Sequence, residues 1–533
     1  MNITRFLSDI PLPLVSLLIP FFVSFAIFSA RLYQRLKKTE KEGPAYYDRR
    51  LLRIIILLVF SINLILTFVI WSRMRTGWTA FFVLGSNGWV QTLAHEGTGK
   101  IRLLMQVDAM AALSAVFMGV VAFAAVLMAL LDRSNPLTPT RAGFFILTLC
   151  GVQGVFYSNG LLSIAFFVLM GQAGIAGLHK GVPSGAEEVK RYLAYCLSTI
   201  LAVVMFFAGA VTLFVIYRTD NISTISSLIH VGVGELSSFI FLVVPVLFLF
   251  VKHSPYITDA ACNCFFRIVS QSAFFVIFRI VFMLYGPMQG INKVPYLLIL
   301  FGAVLMIYTL LSLFAEREPA KFSEGIEQYL KMTIFIALGI SMSATYTAEG
   351  MAKYGLGAIE SLVSIWIIYL PLSAIFSIVS CNLKNKVNGL ELWQYGGLYR
   401  QMPYTCAILF LAFCSVVGLP PGIGFVARQF LYRSSYNFSP SLMLLLFVAA
   451  VAVLAIGLKF IASVIFYKRV ELTDDLFVKS KPAVLPLVLI FLFLALTASM
   501  PGVFFEGYLS PAISSIINSG EVIGVTNPGG QRN

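Results

Sequence analysis

Polar positions in this chain do not alternate with apolar ones; they gather in short clusters between long, nearly unbroken apolar runs. A run of about 20 apolar residues is what a helix needs to cross the hydrocarbon of a bilayer, where every peptide group must be bonded inside its own segment. The pattern therefore predicts an all-α polytopic membrane protein of about 14 transmembrane helices. Eight are expected near residues 11–30, 51–71, 110–131, 142–157, 160–178, 192–217, 236–251 and 265–285. Six more are expected near 294–314, 328–346, 359–379, 404–430, 441–467 and 484–500. The first reads as a span and not as a cleaved leader, because its basic flank follows it instead of preceding it. By this reading residues 1–109 hold the N-terminal helices and a basic loop, 110–500 the transmembrane core, and 501–533 a disordered tail.

Charge orients the chain. Only 12% of residues are charged while 59% are apolar, which leaves no soluble domain large enough for chemistry of its own. The basic segment between the first two spans, RLYQRLKKTEKEGPAYYDRRLLR, belongs in the cytoplasm under the positive-inside rule. Alternation then puts the loops around Arg133, Lys180, Arg317, Lys384 and Lys468 on the same side. Basic residues there outnumber those opposite by more than two to one, and both termini fall outside. The net charge of +14 thus reflects topology and attraction to anionic lipid, and its scatter over short loops argues against nucleic acid as a partner.

Candidate chemistry is sparse. No phosphate loop, dinucleotide fingerprint, haem motif or zinc-protease motif is present, so no cofactor, metal or catalytic centre is expected in this chain. Cys262 and Cys264 form a close pair without a second pair or histidine at metal-site spacing. The most informative local feature is GLPPGIGF at 418–425. Pro420 and Pro421 cannot continue a helical ladder, and Gly418, Gly422 and Gly424 loosen it further. Carbonyls freed in lipid are tolerated only where protein or water meets them. The segment is thus either a discontinuous helix lining a polar interior or a kink at a helix–helix contact.

That block, preceded by GGLYRQMP at 396–403, resembles the antiporter-like membrane subunits of respiratory complex I, membrane-bound hydrogenases and Mrp-type sodium/proton antiporters. EEVKRYLAYCLS at 187–198, IEQ at 326–328 and PYITDA at 255–260 resemble further family segments. The resemblance implies two inverted five-helix repeats with discontinuous helices, near spans four to eight and nine to thirteen. It also implies a bacterial-type inner membrane, other membrane subunits of a redox-linked complex as partners, and proton or sodium translocation through a chain of buried charges.

This sequence departs from that chain of charges. Where the resemblance implies a glutamate in the fifth span, only Leu169 or Gln172 stands; the seventh span lacks its lysine, with Lys252 at the edge. The eighth offers Ser272 and Arg279, the eleventh Tyr369 and Ser373. Arg428 stands where the family carries a lysine or glutamate, and a guanidinium does not titrate. The remaining ion-path candidates are Asp108, as family aspartate or helix cap, and the Glu327–Lys331 pair, which shares a helix face at i,i+4. Of Arg267 and Arg279, the latter is expected to be the buried one. The expected function is a membrane subunit that takes part in or supports ion translocation. A non-pumping structural anchor and a stand-alone secondary ion transporter are the alternatives.

Overall fold

A computed structural model describes residues 12–37, 49–74, 80–84, 103–131, 137–178, 186–229, 233–255, 259–285, 293–316, 318–345, 350–386, 403–420 and 423–466, with four single positions beyond. Helix is present at each of the first thirteen expected spans; apart from those single positions the fourteenth, at 484–500, and the tail lie outside the described residues, as do Pro421 and Gly422. The helices are α1 (Leu12–Lys37), α2 (Arg49–Met74), α3 (Ala109–Leu131), α4 (Pro139–Tyr157), α5 (Leu161–Leu178) and α6 (Ala186–Tyr217). Then follow the short α7 (Ile222–Leu228), α8 (Val233–Val251), α9 (Ala260–Phe278), α10 (Val294–Ala315), α11 (Pro319–Ala344) and α12 (Leu356–Lys386). The twelfth span is divided into α13 (Pro403–Val417) and α14 (Ile423–Phe438), and α15 (Pro440–Phe466) ends the series.

Ten of the described helical stretches are long and apolar enough to cross a membrane. The chain is a multi-pass membrane protein. One departure from the all-helical expectation is a small antiparallel ribbon, β1 (Ala80–Leu84) on β2 (Leu103–Val107), between α2 and α3. Met105 and Val107 are buried, so the ribbon is held by apolar contacts as well as its ladder.

The chain forms two compact units, Met1–Pro255 with Ile268–Tyr285, and Tyr256–Arg267 with Gly286–Asn533. The division falls inside α9, close to the expected boundary between spans eight and nine. In the first unit α4 packs closely on α5 and on α1, α2 on α3, and α6 on α8. In the second, α11 packs between α10 and α12, and α12 against α14. Outward faces of α2, α6, α8, α10 and α15 expose Leu, Ile, Val and Phe, the surface a lipid solvent requires.

Polar groups fix how these greasy cylinders meet. Asn63 on α2 and Gln153 on α4 exchange amide hydrogen bonds: Asn63 Nδ2 donates to Gln153 Oε1 at 2.9 Å, and Gln153 Nε2 to Asn63 Oδ1 at 2.6 Å. Asn63 Nδ2 also donates to Ser16 O on α1 at 3.1 Å, joining three helices through one buried side chain.

The α4–α5 crossing depends on small residues, the usual device where lipid gives apolar faces no reason to associate. A Cβ on Gly151 would sit 2.4 Å from the Gly171 backbone nitrogen, whereas one on Gly171 would meet nothing closer than 3.9 Å. Gly151→Ala should therefore lower stability by about 1–3 kcal/mol through forced separation of the backbones, while Gly171→Ala should change it by less than about 0.5 kcal/mol. Unfolding of the two purified variants in detergent checks this; equal midpoints would contradict the asymmetric crossing.

Candidate functional site

The polar side chains buried in the second unit converge on one carboxylate. Glu327 lies in the third turn of α11 and Lys331 one turn further, so both leave the same side of the helix. Lys331 Nζ is 2.8 Å from Glu327 Oε1, and the Arg267 guanidinium, from the second turn of α9, pairs with Glu327 Oε2. Tyr369 on α12 donates its hydroxyl to Glu327 Oε1 at 2.6 Å. Lys331 and Tyr369 are completely buried and Arg267 and Glu327 nearly so. One anion thus faces two cations and a phenol in a place water reaches poorly.

Arg428 occupies a different side of the same helix. Its guanidinium lies 5.0 Å from the centre of the Tyr329 ring, and Nη1 is 3.5 Å from Thr333 Oγ1. Residues 329 and 333 are each two positions after 327 and 331, about 200° around the helix. Its remaining partner explains the GLPP block. Gly418 adopts φ +87°, which carries the chain out of α13, and the amides of Gly418 and Leu419 both return to Cys414 O, at 3.0 and 2.8 Å. The carbonyl of Val416, left without its helical partner, accepts from Arg428 Nη2 at 3.2 Å. The helix is therefore interrupted at 418–420, and its freed carbonyl faces a buried guanidinium. Gly424 lies inside α14, where a Cβ would overlap Ser415 O at 1.8 Å.

In the first unit the candidates fall into two groups. Arg279 begins a π-helical turn, Arg279–Leu284, that continues α9. Its Nη2 is 3.7 Å from Asp108 Oδ2 and donates to Phe156 O at 3.0 Å and Gln106 O at 3.3 Å. Asp108 Oδ1 accepts from Ala111 N at 2.7 Å, so the residue caps α3 and pairs with Arg279 at once. Lys252, just past α8, donates to Tyr195 O at 2.7 Å and Thr199 Oγ1 at 2.9 Å, and to Ser198 Oγ. Its ammonium also lies 4.0 Å from the centre of the Tyr195 ring. Tyr195 in turn donates to Gln172 Oε1 at 2.6 Å. Gln172, and not the half-exposed Leu169, is the fifth-span residue tied to this network.

Two points differ from the sequence reading. Arg267 was placed behind Arg279, yet both are 1% exposed, and it is Arg267 that joins the Glu327 cluster. Tyr369 stood only as a substitute for a family charge, and here it is a donor to the central carboxylate. Among the described residues no group of three His, Cys, Asp or Glu gathers in a way that could hold a metal ion.

Glu327 pairs directly with both cations, and the Glu324 carboxylate, one turn earlier on α11, acts on both as well. Glu327→Gln should lower stability by about 3–5 kcal/mol, because it removes the buried carboxylate that both cations touch. Adding Lys331→Met should recover part of that loss, a coupling that a double-mutant cycle of detergent unfolding measures. Strict additivity of the two changes would show that the pair does not interact.

Comparison with known proteins gives a consistent picture. No family model matches the chain. In sequence it is similar to NADH-quinone oxidoreductase subunit N of Geobacillus kaustophilus, 23% identical over 291 residues, covering 52% of this chain and 56% of that one. It is also similar to subunit N of Phocaeicola vulgatus, 24% identical over 179 residues, covering 33% and 34%, and to subunit N 2 of Symbiobacterium thermophilum, 29% identical over 118 residues, covering 21% and 23%. These matches span between 23% and 56% of the curated relatives' own lengths. In structure it is similar to a chain of the Mrp complex from Dietzia, with TM-score 0.74, 13% identity, and 96% of this chain and 99% of that one covered. A chain of the membrane-bound sulfane sulfur reductase, an archaeal respiratory membrane complex, gives TM-score 0.74 at 14% identity with the same coverage. A chain of respiratory complex I from Thermus thermophilus gives 0.68 at 15% identity, covering 95% and 99%. The chain has the antiporter-like fold of these membrane subunits, as its GLPP block implied.

Proposed function

We propose that this chain is a membrane subunit of a complex-I-like or hydrogenase-linked redox assembly, in which it takes part in proton or sodium translocation. Its place is a bacterial-type inner membrane, with both termini outside and other membrane subunits beside it. Electron transfer belongs to those other subunits. The observation that carries this reading is the buried Arg267–Glu327–Lys331–Tyr369 cluster inside an antiporter-like fold. A charge held at bilayer depth is costly enough to mark an ion pathway.

The arrangement assigns distinct roles. Arg267 and Arg428 act as fixed guanidinium fields. Arg267 and Glu327 form one ion pair, and Lys331 is the second cation on the same carboxylate, with Glu324 acting on both cations. Loss of a proton from the Lys331 ammonium leaves the Arg267–Glu327 pair in place, and its return restores the second cation on Glu327. Lys331 is therefore the exchanging group, Glu327 the anion that holds it, and Tyr369 the donor that orients Glu327. The break at Gly418, with the Val416 carbonyl on Arg428, gives the second unit a polar interior beside α11.

One specific observation favours a second reading, a non-pumping anchor. In the first unit Lys252 is surrounded by a carbonyl and hydroxyls, and the side chain linked to it through Tyr195 is the uncharged Gln172.

The test is ion translocation by the intact complex reconstituted in vesicles, with Lys331→Met and Arg428→Ala compared against wild type. Lys331→Met is expected to lower translocation several-fold with electron transfer retained, and Arg428→Ala to lower it less. Full translocation in both variants would establish the anchor. A single chain that purifies alone and moves ions in liposomes would establish the stand-alone transporter.

A further inference from the structure

The first unit holds another carboxyl group, which none of the pathway above uses. After α6 the backbone turns at Arg218, whose φ of 57° lies in the left-handed region. The turn lays residues 220–222 antiparallel to 159–161: Leu161 N donates to Asp220 O at 2.9 Å, Ile222 N to Asn159 O at 3.0 Å, and Gly160 bridges Asn221. Asn221 caps α7 by accepting from Ser223 N at 3.1 Å. Asp220 is thereby folded inward and is 3% exposed.

Its Oδ2 atom is buried with no hydrogen-bond partner. The oxygen rests against Gly160, where a Cβ would lie 2.5 Å from Asp220 Oδ2 and 3.1 Å from Ser163 Oγ. The missing side chain at 160 is what admits the carboxyl group beside Ser163. On the neighbouring residue Asn159 the amide nitrogen is used, donating to Asn221 Oδ1 at 3.1 Å and Ser223 Oγ at 3.3 Å, while Oδ1 is buried without a donor.

The charged groups on the elements around this turn are engaged elsewhere. Arg218 is exposed, Glu235 at the start of α8 accepts from Tyr217 at 2.8 Å, and Arg279, on the π turn against which α7 packs, holds Asp108 and two carbonyls. An ionised carboxylate in such surroundings is strongly disfavoured unless it takes up a cation or a proton.

We propose that Asp220, with Ser163 Oγ beside it, forms an exchangeable monovalent-cation site, for a proton or a sodium ion, in the turn between α6 and α7. The donors are oxygens throughout, which suits a hard cation. Burial pushes the Asp220 carboxyl up to about 6, which brings proton exchange near neutral pH. Because the folded protein then holds this proton more tightly than the unfolded chain, folding stability falls as pH rises from the ordinary carboxyl range through about 6. The site does not require the chain to move ions.

Infrared spectroscopy of the purified full chain tests it. A protonated-carboxyl band should be present below about pH 6, fade above it, and be missing in Asp220→Asn. The titration is run in potassium and in sodium buffer: a lower midpoint in sodium identifies a site that sodium also occupies, and an unchanged midpoint identifies a proton site. No band difference between wild type and Asp220→Asn at any pH would overturn the proposal. Should Asp220→Asn fail to fold, Gly160→Ala crowds the same oxygen and should move the midpoint by more than half a pH unit, roughly the change a lost contact of 1 kcal/mol produces; an unmoved midpoint would overturn the proposal as well.

Discussion

Hydrocarbon offers a peptide group nothing to bond with, and this single fact organises the molecule. It closes each span into a helix whose amides are satisfied internally. It also dictates what happens where a helix fails. At Gly418 the chain leaves α13, and the carbonyl released at Val416 is met by a buried guanidinium from α14. The same rule holds for charge. Glu327 is buried with two cations and a phenol around it, and Arg279 is buried against Asp108 and two main-chain oxygens. These buried charges come in sets.

Much of the fold was legible for that reason. Apolar runs long enough to span, separated by basic clusters, placed helix at each of thirteen expected spans, although α1, α11 and α12 run seven to nine residues past an expected end, and two adjacent prolines located the interruption. The ribbon at 80–84 and 103–107 was not, because a five-residue apolar stretch is as consistent with a helix end as with a strand. Helical spacing showed that Glu327 and Lys331 share a face. It could not show which helix each face meets, and so did not reveal that Arg267 and Arg428 approach α11 from different sides. Asp220 was hidden in another way. In sequence it is one polar residue in a polar turn, and only the left-handed residue before it and the glycine opposite bury it.

Fold and charge have separate determinants here. At 13–15% identity the chain matches antiporter-like subunits over nearly its whole length. Few individual side chains can be responsible for that. What the architecture needs is span length, small residues at close crossings, and a break with a partner for its carbonyl. The position of ionisable groups is free to change within that frame. Lys252 bound to hydroxyls, Gln172 in place of an acid, and Arg428 as a permanent cation are all accommodated without disturbing a helix.

The Asn63–Gln153 exchange has a consequence for how the first helices tolerate sequence change. To lipid, leucine, isoleucine and valine are nearly interchangeable, so apolar faces alone leave a helix free to slide or rotate against its neighbour. Two amides that satisfy each other remove that freedom, since a shift of one turn would strand four polar atoms in oil. Register between α2 and α4 is thus written in two residues, and substitutions at 63 and 153 are viable mainly as a pair. The surrounding aliphatic positions can drift singly.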